Sequence, residues 1–188
     1  QVVWLSTGSE APFHVPQRLL VVLESNASAS VVEQFVTTEE TQNCFTHGVT
    51  EVRLADGAKC DHYRLHLEKP GALHVGGVYA ALDANAHFNS FHLALGGVLK
   101  RIDVVINHNG RGADCVLNGV YLPRDNQHVD YHTCIEHRVP HCTTQEIFRG
   151  IVADNAKAVF NGRIHIHRDA QKTLAQLSNK NLLLSDKA

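Results

Sequence analysis

Histidines and cysteines are the side chains best able to do chemistry in this sequence: 14 His and five Cys among 188 residues. His165 and His167 flank Ile166. On a strand they share one face, which is half of a metal site. Ile164 and Ile166 then point inward, and the two imidazoles read as a surface pair. His132, His137, His141 and Cys142 lie close together in sequence. Their spacing matches no structural zinc motif, which needs about four converging ligands. Cys44, Cys60, Cys115, Cys134 and Cys142 are odd in number and contain no Cys-x-x-Cys, so neither a disulfide framework nor a cluster-ligand motif is predicted. Asp125, Asp130 and Glu136 could supply paired carboxylates, but their separation in space is not fixed by sequence. Arg101 and Asp103 read as a surface ion pair. Gly96-Gly97 and Gly110-Arg111-Gly112 lack the Lys-Ser/Thr of a phosphate loop. No catalytic, cofactor-binding or metal-binding residue is assigned.

The elements that carry these residues follow from a repeat. Leu23-Glu24-Ser25-Asn26-Ala27, Leu54-Ala55-Asp56-Gly57-Ala58, Leu82-Asp83-Ala84-Asn85-Ala86, Val152-Ala153-Asp154-Asn155-Ala156 and Ile166-His167-Arg168-Asp169-Ala170 share one form. A looser copy ends at Ala113. The intervals between the Ala positions are 31, 28, 27, 43 and 14 residues, near whole multiples of 14. A fixed period marks a solenoid. Between the repeats the apolar residues stand two apart, as in Tyr63, Leu65, Leu67 and Phe91, Leu93, Leu95. That is strand periodicity. Asn, Asp and Gly tolerate left-handed backbone and suit the corners. The predicted fold is therefore all-β, a parallel β-helix with about 14 residues per half-coil, and corners at Asn26, Gly57, Asn85, Gly112, Asn155 and Asp169. Cys60 and Cys115 fall two residues after a corner Ala, where Ala29 and Ala158 stand elsewhere, and are predicted to be buried in the core. Residues 169–184 also fit an amphipathic helix capped by Asp169, but the repeat register favours a strand.

Composition removes several classes of function. A formal net charge of −2 excludes polyanion binding by bulk positive charge. No apolar run approaches the ~20 residues of a membrane helix, and no basic-then-apolar leader opens the sequence. Unpaired cysteines point to a reducing, cytoplasmic compartment. The chain begins at Gln1 and contains no Met, so residues 1–188 are predicted to be one β-helix domain cut from a longer protein. Its open end should favour self-association, because an uncovered strand edge offers unpaired backbone groups.

From Phe88 onward an ordered set of segments carries a family likeness: Ser90-Phe91-His92-Leu93-Ala94-Leu95-Gly96-Gly97, Leu117-Asn118-Gly119-Val120-Tyr121, His128-Val129-Asp130-Tyr131-His132-Thr133, Pro140-His141-Cys142-Thr143-Thr144-Gln145-Glu146, Val159-Phe160-Asn161-Gly162 and Asn179-Lys180-Asn181-Leu182-Leu183-Leu184-Ser185. This set resembles the SufB/SufD family of iron–sulfur cluster assembly proteins. Residues 1–87 resemble it more loosely, through Val31-Val32-Glu33-Gln34-Phe35. The resemblance implies a right-handed parallel β-helix. It also implies a non-catalytic scaffold role in a complex of SufB, SufC and SufD, in which SufC hydrolyses ATP and the cluster is handled by the whole complex. Two departures limit the transfer. The family's Cys-x-His-Gly motif and SufC-docking helices lie beyond Ala188. The strand holding SufB's sulfur-accepting cysteine aligns with Arg101-Ile102-Asp103, which has no thiol, so the likeness is to the SufD branch. The competing readings are a histidine-rich metal-binding solenoid and a polysaccharide-active β-helix enzyme. The second is disfavoured by 6% aromatic residues and a single Trp, Trp4.

Overall fold

The computed structural model describes residues 1–8, 11–38 and 43–188. It is built of strands, with no helix among the described residues. The odd-numbered strands form one parallel sheet: β1 (Val2–Ser6), β3 (Ser28–Thr37), β5 (Lys59–His66), β7 (His87–Ala94), β9 (Asp114–Tyr121), β11 (Thr143–Val152) and β13 (Leu174–Leu183). The even-numbered strands form the other: β2 (Phe13–Leu23), β4 (Cys44–Leu54), β6 (Leu73–Leu82), β8 (Leu99–His108), β10 (His128–His137) and β12 (Lys157–Ile166). Every pairing is parallel, and each strand lies beside the one two places along the chain. Leu73 pairs with Leu99 and Phe13 with Cys44. One coil therefore takes 26 to 31 residues, two half-coils of about 14. The chain is the β-solenoid that its repeat predicts. The strand β13 replaces the amphipathic helix that residues 169–184 could have formed.

The repeated Ala closes a turn at each corner. Its N–H donates to the carbonyl three residues earlier, as in Ala27 to Glu24 at 2.9 Å, Ala58 to Ala55 at 3.0 Å and Ala170 to His167 at 2.9 Å. The residue before it takes the left-handed backbone at Asn26, Gly57, Asn85 and Gly112, with φ between 55° and 76°. Corners also bond to the next coil, Asn26 N–H to Asp56 O at 2.9 Å and Asn85 N–H to Arg111 O at 2.9 Å. Two corners depart in detail from the expectation. At the fifth, the positive φ belongs to Asp154 rather than Asn155, and at the sixth, Asp169 turns without one. The 43-residue gap is explained by a corner in which Cys142, fully buried, stands where Ala stands elsewhere and His141 carries the positive φ of 65°. Corners at Gly71, Gly96-Gly97 and Asp125 complete the opposite row.

The core runs between the two sheets. Phe88, Ile102, Val104, Ile106, Leu117, Tyr121, Tyr131, Ile135 and Phe148 are all fully buried in it. Cys60 and Cys115 join them, at 2% and 0% exposure, as the corner register predicts.

Candidate functional site

Cys60 shares its strand face with His62, Arg64 and His66, and all four are buried. The apolar Tyr63 points outward, 37% exposed, with Leu65 on the same face. The same inversion holds in β7, where Ser90 and His92 are fully buried while Phe91 and Leu93 lie on the outer face. The early coils thus enclose a file of polar and charged side chains. A buried charge is tolerated only when paired and hydrogen-bonded, and the file meets that demand almost throughout.

Glu33 on β3 is its first anchor. Its Oε2 accepts from Thr50 at 2.7 Å and from Arg64 Nη1 at 3.1 Å, and lies 2.9 Å from His62 Nε2. Burial alone would raise its pKa. The His62 hydrogen bond and the Arg64 charge outweigh burial and hold it down to about 2. Arg64 also donates to Thr50 at 2.6 Å and to the Gly48 carbonyl at 3.0 Å, and its guanidinium stands 4.5 Å over the Phe35 ring. Gly48 makes room for this head group, because a Cβ there would sit 3.2 Å from Arg64 Nη2 and 3.0 Å from the Phe35 ring. From His62 the chain of polar contacts continues to Ser90 at 3.0 Å and on to His92 at 3.1 Å. Glu68 is the second anchor. Lys100 Nζ donates to it at 2.6 Å and His74 Nδ1 lies at 2.7 Å. Burial opposes its ionisation, but the Lys100 charge, the His74 hydrogen bond and His66, 3.7 Å away, hold its carboxyl well below the usual range.

The third buried carboxylate has no such partner. Glu146 on β11 is fully buried, and neither of its oxygens has a hydrogen-bond partner. Burial pushes it up to about 7, and the nearby Thr133 hydroxyl, itself unpartnered, offsets this only in part. This carboxyl therefore holds its proton to far higher pH than an ordinary glutamate. It was not singled out by sequence, and no short motif around it announces a buried acid.

The sequence cluster His132, His137, His141 and Cys142 is divided by the fold. His132 lies on the outer face beside Arg101 and Asp130, and His141 sits at a corner. His137 and Cys142 point inward and meet His108 from the preceding coil. The Nε2 atoms of His108 and His137 lie 3.0 and 3.1 Å from Thr144 Oγ1. Their rings stack at 4.3 Å with 8° between planes. Both Nε2 atoms are thus taken up by the Thr144 hydroxyl. Burial, followed by the neighbouring His137, lowers His108 to about 3, and this pair is a packed neutral stack. The buried trio His66, Glu68 and His74 already holds Lys100 where a cation would go.

The outer face of β10 presents Asp130, His132, Cys134 and Glu136 in alternation, all half-buried. Arg101 pairs with Asp130 at 2.6 Å and with Asp103 at 3.0 Å, the surface ion pair expected from sequence. Asp125 stands apart, at a corner. His165 and His167 do face outward, at 44% and 42% side-chain exposure, and both meet Glu136 on the neighbouring strand. Cys44 is buried and Cys134 half-exposed.

The sequence model of the family described as "SUF system FeS cluster assembly, SufBD core domain" matches residues 5–188. The iron–sulfur cluster assembly protein SufD of Escherichia coli is 32% identical over 86% of this chain and 38% of its own length. A SufBD family iron–sulfur cluster assembly protein of Synechocystis is 28% identical over all of this chain and 43% of its own. The chloroplastic protein ABCI7 of Arabidopsis thaliana is 27% identical over 91% of this chain and 36% of its own. The chain spans about two fifths of the length of these relatives. A solenoid with this corner repeat, matched along nearly its whole length, belongs to the SufBD core family of the SUF iron–sulfur cluster assembly system.

Proposed function

We propose that this chain is the core of a SufD-type, non-catalytic scaffold subunit that works with SufB and the ATPase SufC in iron–sulfur cluster assembly in the cytoplasm. The observation that carries this reading is the family match over residues 5–188, joined to relatives named as assembly proteins. The chemistry of the chain supports a passive role. Its two ionised interior carboxylates, Glu33 and Glu68, are held by Arg64 and Lys100, an arrangement that orders a core. The sequence offers no phosphate loop, so ATP hydrolysis falls to SufC. The cluster is cargo of the whole complex and is not held by this segment, because Cys44, Cys60, Cys115 and Cys142 are buried and clusters need several converging thiolates.

The test is co-expression of the full-length protein with SufB and SufC, followed by affinity capture and gel filtration. A stoichiometric three-component complex, with ATPase activity lost when SufC is omitted, is the expected result. Failure to retain SufB and SufC, or ATP hydrolysis by the isolated protein, refutes the reading.

A further inference from the structure

The outer face of β10 and β12 brings together one carboxylate and two imidazoles that lie 29 and 31 residues apart in sequence. His165 Nδ1 and His167 Nε2 are each 2.8 Å from the same atom, Glu136 Oε2. The three ligand atoms lie within 4.8 Å of one another. Parallel pairing places Glu136 beside His165. His167 lies one residue past β12, yet its N–H donates to the His137 carbonyl at 3.0 Å. The ladder therefore continues, and His165 and His167 stay on one side. Their rings are tilted by 37° with centroids 4.3 Å apart. Both ring nitrogens thus meet the same carboxylate oxygen, Glu136 Oε2.

We propose that Glu136, His165 and His167 form a mononuclear site for a borderline divalent transition-metal ion such as zinc. Two imidazoles and a carboxylate suit such ions. Ligands at about 2.0–2.2 Å from a tetrahedral ion stand about 3.3–3.6 Å apart, so both imidazoles, now 2.8 Å from Oε2, must draw back by about 0.5–0.8 Å to admit the ion. The half-exposed imidazoles leave room for water at the remaining positions. Arg163 Nη2 lies 3.5 Å from the other oxygen, Oε1, and Cys134 Sγ also lies 3.5 Å from it. These two address the oxygen that the ion does not use, so Cys134 is an outer neighbour and not a ligand. The site depends on neither SufB nor SufC. It departs from the sequence expectation of a plain surface pair because the third ligand comes from the neighbouring coil.

The test uses the full-length protein, purified without a histidine tag, with zinc and cobalt(II) as probes. Calorimetric titration with zinc should show one site per chain. Glu136→Gln and the double variant His165→Asn/His167→Asn should each weaken it at least tenfold. His47→Asn, on a distant histidine, and Cys134→Ser should leave it unchanged. Cobalt(II) should give a visible ligand-field band without a thiolate charge-transfer band. All the altered groups lie on the outer face, so an unchanged circular dichroism spectrum should accompany each variant. No zinc binding by the wild type, equal binding by the double variant, or an equal loss in His47→Asn overturns the site. A thiolate band abolished by Cys134→Ser overturns the ligand assignment.

Discussion

Replacing Glu146 by Gln should remove a pH dependence of stability that this one side chain imposes. The wild-type carboxyl is buried without a partner and titrates near 7 in the folded chain, against 4.5 in the unfolded one. A group whose folded pKa is raised supports stability fully below its unfolded pKa and loses that support as pH rises through its folded pKa. The window is therefore about pH 4.5 to 7 and slightly above. A shift of 2.5 pH units corresponds to about 3 kcal/mol at about 1.4 kcal/mol per unit. Denaturant unfolding of wild type and Glu146→Gln at pH 5 and at pH 8.5 measures this. The wild type should lose about 2.5 kcal/mol more than the variant across that interval, the remainder having been lost below pH 5. Comparing the two proteins cancels the lowered histidines, His108 among them, because both carry them. A Glu146→Met variant repeats the comparison without a buried amide. If wild type and both variants change in parallel, the carboxyl is either paired or hydrated, and the reasoning fails.

Three further outcomes follow from the interior and the corners. Glu33→Leu leaves Arg64 buried without its carboxylate and should cost about 3–5 kcal/mol in denaturant unfolding; a loss below 1 kcal/mol, no more than an ordinary substitution, would show that the Gly48 carbonyl and Thr50 suffice for the guanidinium. In the native protein Cys60 and Cys115 should label slowly with thiol reagents, because burial pushes Cys60 up to about 11 and Cys115 well above the usual thiol range. Labelling of either at the rate of half-exposed Cys134 would contradict the core register. Gly112→Ala should destabilise by about 1–2 kcal/mol or more, since φ is +76° and the new Cβ would lie 2.4 Å from Asn85 Oδ1; an unchanged melting curve would show that the stacked corners have slack.

How much of this protein is legible in its sequence divides along a physical line. The period is legible, because most corners of the repeat need a small residue and left-handed backbone freedom, and Ala with Asn, Asp or Gly records both. That record gives the parallel solenoid, places Cys60 and Cys115 in the core, and turns residues 174–183 into a strand where helix periodicity also fits. It even spans the corner at Cys142, where a small thiol fills the Ala slot. What the sequence does not show is which side of a strand is wet. Hydrophobicity alone would put Tyr63 and Leu65 inside, whereas His62 and Arg64 are buried. Only the slot of Cys60, two residues after its corner, carries the correct parity, since residues two apart share a face.

Tertiary structure alone decides the sites, because they are made across coils. Glu33, Thr50 and Arg64 meet only when neighbouring coils stack, and nothing local marks Glu33 as the partner of an arginine 31 residues away. His137 and Cys142 leave their sequence neighbours His132 and His141 because strand alternation sends them to the other side. Glu136 joins His165 and His167 because a coil of 29 residues sets those strands side by side. The sequence determines a period, and hence a fold and a family, through short-range demands repeated at most corners. The charges it buries and the ligands it gathers depend on contacts one coil apart, which exist only once the coils have closed.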